Sequence, residues 1–211
     1  MRHQPAGMKD FSPIEPIVQR ICDTAVEALA RFYELTEFPP DWMHESFMAS
    51  YVFERLGEET SMMPEVMVST LWGWNKTEGS RPPPPLPPEL RGQQRTDLVL
   101  FAPQNVPRDE QGIWCLIEFK RDSRVDGDIN KIKSLLPFFD GCDFGAACGV
   151  VDLKKYHSGW LDEERVQTEE RGERFVTSTP WEVAIEGRQR SFVVCAWVFT
   201  ARAANTPPPG R

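Results

Sequence analysis

Two apolar runs in this chain carry charge at positions that a sheet interior accepts only with compensation. The first is Arg95-Thr96-Asp97-Leu98-Val99-Leu100-Phe101. The second runs from Ile113 to Lys120 and ends Glu118-Phe119-Lys120. Both have the length and composition of strands, and the stretch with Pro103 and Pro107 between them reads as the turn of a hairpin. Alternation puts Asp97, Val99 and Phe101 on one face of the first strand, and Leu116, Glu118 and Lys120 on one face of the second. Cys115, Ile117 and Phe119 turn the other way. Antiparallel pairing therefore lets two carboxylates and one ammonium group meet on an otherwise apolar sheet. Such charge persists only when it is paired or holds a metal. Two carboxylates alone repel until one takes a proton. A divalent cation removes the conflict, because carboxylate oxygens are hard ligands. The lysine then stands where it can stabilise a phosphate or help activate water, which is the layout of metal-assisted phosphodiester hydrolysis.

The remaining sequence supplies the elements around this pair. Ser12-Pro13-Ile14-Glu15 has capping-box spacing with Pro at the first helical position. Ile14, Val18, Ile21, Ala25, Leu29 and Phe32 recur at helical intervals, predicting a helix over 13–37 that Pro39-Pro40 closes. Asp41 is the expected cap of a second helix over 42–57, closed by Gly57, with Ala49, Val52 and Leu56 on one apolar face. Glu45, four residues before Ala49, belongs to that face, though an exposed first-turn acid favoured by the helix dipole has the same spacing. Residues 62–74 are β-branched and aromatic and read as a strand. Residues 75–95 contain Pro82 to Pro85 and Pro87-Pro88, so they form a long loop of polyproline character, either a stiff spacer or a docking ligand.

Asp126 starts a helix carrying Ile129, Ile132, Leu135 and Leu136, stopped near Pro137. Asp122, Asp126 and Asp128 around Gly127 miss the spacing of a calcium loop. Phe144 to Leu153 reads as a strand buried on both faces. Gly141, Gly145 and Gly149 lack the Lys-Ser/Thr of a phosphate loop and suit a turn and close strand packing. Residues 161–174 are of mixed charge, a solvated helix or loop, and strands follow at about 174–186 and 190–200. Residues 201–211 read as a disordered tail. Trp42, Phe47, Tyr51, Trp72 and Trp74 are expected in the core rather than as base-stacking platforms.

Composition bounds the function. With 211 residues, 40 % of them hydrophobic, the chain can build one core. The expected organisation is a tail and helix over 1–41 packed on one domain over 42–200. No run of eighteen apolar residues and no apolar leader occurs, so neither a membrane-spanning helix nor a secretory signal is expected. The five cysteines are odd in number and lack a Cys-x-x-Cys pair, so buried, reduced thiols and a cytoplasmic location are expected. His3, His44 and His157 are too scattered for a histidine metal site. Net charge is −8, and the sequence is acidic on both sides of residue 97. That excludes coating nucleic acid by bulk charge, so phosphate contact would come from a local patch, a metal ion or a partner subunit.

Asp97, a turn, and then Glu118-Phe119-Lys120 resemble the core of the PD-(D/E)XK nuclease superfamily, the restriction-endonuclease-like fold. That α/β core is a helix, a three-stranded antiparallel meander, a crossover helix and a further strand. Residues about 42–153 follow this order, here with an N-terminal helix and extra C-terminal strands. The resemblance implies a metal-dependent nuclease acting on DNA before RNA. It implies Asp97 and Glu118 as ligands of Mg²⁺ or Mn²⁺, with the Phe119 backbone carbonyl completing the shell. It also implies Glu45 reaching the metal through water and Lys120 as the catalytic lysine. Arg121, Arg124, Lys131 and Lys133 would contact the nucleic-acid backbone, though the two lysines suit a solvated helix face better. The chain departs from the family with Thr96 in place of Pro and with an inserted Pro-rich loop. The acidic balance and that loop also fit a catalytically silent member of the fold that serves as an interaction or assembly subunit. Either reading accommodates a homodimer or a partner subunit.

Overall fold

Period-two burial organises the chain around one sheet. The computed structural model describes residues 10–57, 59–76, 84–92, 95–101, 112–139 and 141–200. Its strands are β1 (Met62–Met67), β2 (Arg95–Phe101), β3 (Ile113–Lys120), β4 (Phe144–Asp152), β5 (Arg174–Thr177), β6 (Trp181–Ile185) and β7 (Arg188–Thr200). β1, β2 and β3 form an antiparallel meander, and β4 lies parallel to β3. β7 is antiparallel to β4 and also pairs with β5 and β6. The result is a mixed α/β fold with a seven-stranded, mostly antiparallel sheet.

Five α-helices are described: α1 (Glu15–Thr36), α2 (Glu45–Leu56), α3 (Val68–Lys76), α4 (Asp126–Leu135) and α5 (Trp160–Glu170). α1 and α2 pack on one face of the sheet, over Leu98, Ile117, Phe119, Cys148 and Val194. α3, α4 and α5 pack on the other, over Val99, Leu116, Ala147, Cys195 and Trp197. Neighbouring strand residues go to opposite layers, as the pleat requires. α4 is the crossover that a parallel β3–β4 pair needs. The five cysteines are buried free thiols. Among the described residues no helix is long and apolar enough to cross a membrane.

Several boundaries differ from the sequence expectation, each for a local reason. The strand expected over 62–74 stops at Met67, and α3 follows. Val68, Leu71 and Trp72 stand at i, i+3 and i+4, so one helical turn buries all three. Asp41 does not cap α2, because it lies within a 3₁₀ turn over Pro40–Trp42. The cap is His44, whose Nδ1 accepts the Ser46 N–H at 3.2 Å. The Ser12 box does not form either. Ser12 Oγ donates to Asp10 at 2.7 Å, and the Phe11 carbonyl takes the N–H groups of Ile14 and Glu15. Residues 161–174 resolve into α5 and the start of β5, and the strand expected over 174–186 splits into β5 and β6. Trp72 is buried as expected, but Trp42 keeps 65 % of its surface exposed.

The Pro-rich segment is anchored where it is described. Trp72 Nε1 donates to the Pro84 carbonyl at 2.8 Å, and Leu86 and Leu90 join the core under α3 and α4. Its first prolines and the 201–211 tail lie outside the described residues. On β1, the edge strand, Pro64 interrupts the run of amide donors and Glu65 adopts a left-handed backbone (φ 51°).

Gly149 holds β4 against the loop that follows β3. A Cβ built there would sit 2.7 Å from the Asp122 carbonyl oxygen, a backbone atom. Gly149→Ala should therefore cost about 1–3 kcal/mol through overpacking, read as a lowered urea midpoint with an unchanged slope. An unaltered midpoint would show that this contact yields freely.

Candidate active site

The charged ends of β2 and β3 lie where their ladder lapses. Pairing holds from Phe101 to Leu98 opposite Ile117. Past that pair β2 stays with β1, with Thr96 opposite Val66, while β3 stays with β4 through Lys120 opposite Gly149. Side chains take over between β2 and β3. Asp97 Oδ2 accepts the Phe119 N–H at 2.7 Å, and Thr96 Oγ1 donates to the Ile117 carbonyl at 3.1 Å. Asp97 thus replaces a backbone acceptor, and that role fixes its carboxylate. The N–H and C=O of one strand residue point to the same side, so the Phe119 carbonyl also faces β2.

Glu118 is buried on the same face as Asp97. Lys131 reaches it from α4: its Nζ lies 2.7 Å from Glu118 Oε1 and 2.6 Å from the Arg95 carbonyl. Lys120 Nζ lies 3.6 Å from Glu45 Oε1 and 3.7 Å from Asp128 Oδ2. Glu45 does not point into the core. It stands half-buried in the first turn of α2, where its Oε1 also accepts the Arg121 N–H at 3.4 Å. These side chains line an open cleft of about 390 Å³ at the carboxyl end of β3.

Charge in the cleft is unbalanced. Glu65 is paired with Arg95 at 2.9 Å. That leaves the carboxylates of Glu45, Asp97, Glu118 and Asp128 against the ammonium groups of Lys120 and Lys131. Burial raises the pKa of Asp97; the Phe119 N–H and Lys131 pull it back, and Glu45 and Asp128 push it further up. Burial first, and then the charge of Asp97, raises Glu118 to about 7 against the opposing pull of Lys131. Asp128 is raised chiefly by burial. Burial disfavours the Lys120 ammonium, but Asp128 and Glu45 outweigh it, so its pKa ends above the usual lysine value.

Among the described residues no three His, Cys, Asp or Glu side chains form a ready metal cage. The donors at hand are two opposed carboxylates and one strand carbonyl. They fit the protein's share of a Mg²⁺ site, in which water and substrate phosphates complete the shell.

The structure brings Asp97, Glu118, Lys120, Glu45 and Lys131 together. It leaves three of the anticipated phosphate-binding cations elsewhere. Lys133 Nζ bonds Glu173 at 2.6 Å and lies over the Phe199 ring. Arg124 Nε bonds Asp122 at 3.0 Å. The Arg121 side chain lines a separate cleft. Asp128 is the site residue that the sequence reading did not assign. Its signal was available: it sits three residues before Lys131, on the same side of the first turns of α4.

Glu118 holds its proton more tightly in the folded chain than in the unfolded one. Between its ordinary value of 4.5 and about 7 the unfolded chain binds fewer protons, so stability falls as pH rises. Metal-free wild type should therefore lose about 3 kcal/mol relative to Glu118→Gln across that window, with parallel curves above and below it. Urea unfolding over a pH series in chelator checks this, and parallel curves throughout would refute it. Comparison with protein-family models, with curated proteins and with solved structures finds no match to this chain, so the chemistry of the cleft rests on its own residues.

Proposed function

We propose that this chain is a metal-dependent nuclease with a restriction-endonuclease-like core, hydrolysing phosphodiester bonds of DNA in preference to RNA. One observation carries the reading. Two carboxylates, the buried Glu118 and the half-buried Asp97, share a cleft with Lys120, and the ammonium groups present do not balance the negative charge. Apart from α3, inserted between β1 and β2, the order α2, β1, β2, β3, α4, β4 is the one expected of that core, and the Asp97 and Glu118-Phe119-Lys120 motif falls at the ends of neighbouring strands.

Asp97 and Glu118 would hold Mg²⁺ or Mn²⁺ with the Phe119 carbonyl, and Glu45 would assist through water. A bound cation supplies Lewis-acid polarisation of the phosphate. The protein's own groups do the rest. The Phe119 N–H fixes the Asp97 carboxylate. Glu45 and Asp128 keep Lys120 charged at the mouth of the cleft. Its ammonium is then aimed where a phosphoryl oxygen gathers charge during attack, an effect worth about 3 kcal/mol in preorganised sites. Lys131 has to leave Glu118 Oε1 before that oxygen can serve as a ligand.

A second reading is favoured by that last contact. Lys131 already satisfies Glu118, and Lys120 lies between two carboxylates, as a silent scaffold on the same fold would arrange them. A cleavage panel separates the two: supercoiled, linear and single-stranded DNA and RNA, with Mg²⁺ or Mn²⁺, beside calorimetric Mn²⁺ binding. The nuclease should cut only with metal, and Asp97→Ala and Lys120→Ala should each lose at least about 100-fold. Folded wild type that neither cuts nor binds Mn²⁺ would establish the scaffold instead.

A further inference from the structure

A second cleft, of about 580 Å³, opens on the other side of the chain leaving β3. Lys120 lines the first cleft and Arg121 the second, so two successive residues face two neighbouring sites. Its floor is Val150 and Phe192, at the carboxyl end of β4 and in β7. The carboxyl ends of a parallel strand pair, here β3 and β4, are where open α/β sheets hold ligands.

The chemistry of its walls is specific. Its two acids are already engaged. Asp152 is buried and bonds Arg190 Nε at 2.7 Å, and Asp122 bonds Arg124. The Arg121 guanidinium forms no ion pair among the described residues and is exposed beside Lys155. On the rim stands Trp42, 65 % exposed and stacked on Phe38 at 5.5 Å with the rings 29° apart. Neither ring serves the core, although a chain of this composition expects Trp42 there. Tyr156 closes the far wall, with its hydroxyl bonded to Ser123 and its ring against Trp160.

The geometry points to a subsite for unpaired nucleotides of a single strand: a base stacks on Trp42, and the adjoining phosphate lies on Arg121, next to the cleft of Asp97 and Glu118. The inference rests on the nuclease reading for its polymer and adds the strand form. An aromatic face takes a base only when that base is free of its partner. A concave cleft of this size admits a nucleotide, whereas duplex recognition puts a protruding helix or ribbon into a groove.

Fluorescence anisotropy in chelator, with a labelled oligothymidylate and its duplex with oligoadenylate, tests the subsite without cleavage. Single strand should bind more tightly than duplex. Trp42→Ala and Arg121→Ala should each weaken single-strand binding about tenfold, and Trp42→Phe should restore most of it. Both residues are exposed, and matched far-ultraviolet spectra of the variants confirm folding. Equal or tighter duplex binding, or variants that bind like wild type, would overturn the subsite. The nuclease reading is scored separately. Trp42- and Arg121-dependent binding with neither metal-dependent cleavage nor Mn²⁺ binding supports the subsite and removes the nuclease. Cleavage by variants with unaltered binding does the reverse.

Discussion

The opposition of two carboxylates at the point where β2 and β3 stop pairing sets the terms for the surrounding structure. Asp97 is held because it substitutes for a backbone acceptor, so its charge cannot swing away. Glu118 is held because its strand is bonded to β4 along the whole shared register. Lys131, Lys120, Glu45 and Asp128 are arranged around that fixed pair. The sheet spends backbone pairing at this end to bring polar groups into the gap, a common compromise between stability and a prepared site.

Much of this was legible from alternation alone. Leu98, Leu100, Cys115, Ile117 and Phe119 share one layer, and Val99 and Leu116 share the other. A period of two in a strand leaves no freedom on that point. Signals that depend on one side chain were weaker. Asp41 and Ser12 both have the composition of caps, yet the neighbouring prolines turn the chain so that His44 and a backbone carbonyl do the capping. Val68 to Trp74 has strand composition, but its apolar positions fit one turn of helix better than a pleat. Trp42 was misplaced because aromatic content predicts burial only on average. The partner of each cation is a tertiary fact: Lys133 meets Glu173, forty residues away, and no local pattern announces it.

The chain leaving β3 is a divide as well as a connection. Lys120 and Arg121 are neighbours in sequence, yet one enters an acidic cleft and the other a basic, aromatic one. The link between the layers is Glu45, which pairs with Lys120 and accepts the Arg121 N–H. A disturbance at the start of α2 would reach both clefts through that one carboxylate.

The edge strand has a consequence of another kind. The Ser61 carbonyl takes the Phe101 N–H, which turns the backbone of Pro64 away from β2 by alternation. The outward edge therefore lacks a donor at Pro64, and the left-handed Glu65 beside it breaks the line of the chain. An incoming strand would find neither a continuous ladder nor a flat surface. That edge is guarded against runaway polymerisation of the kind that exposed sheet margins invite.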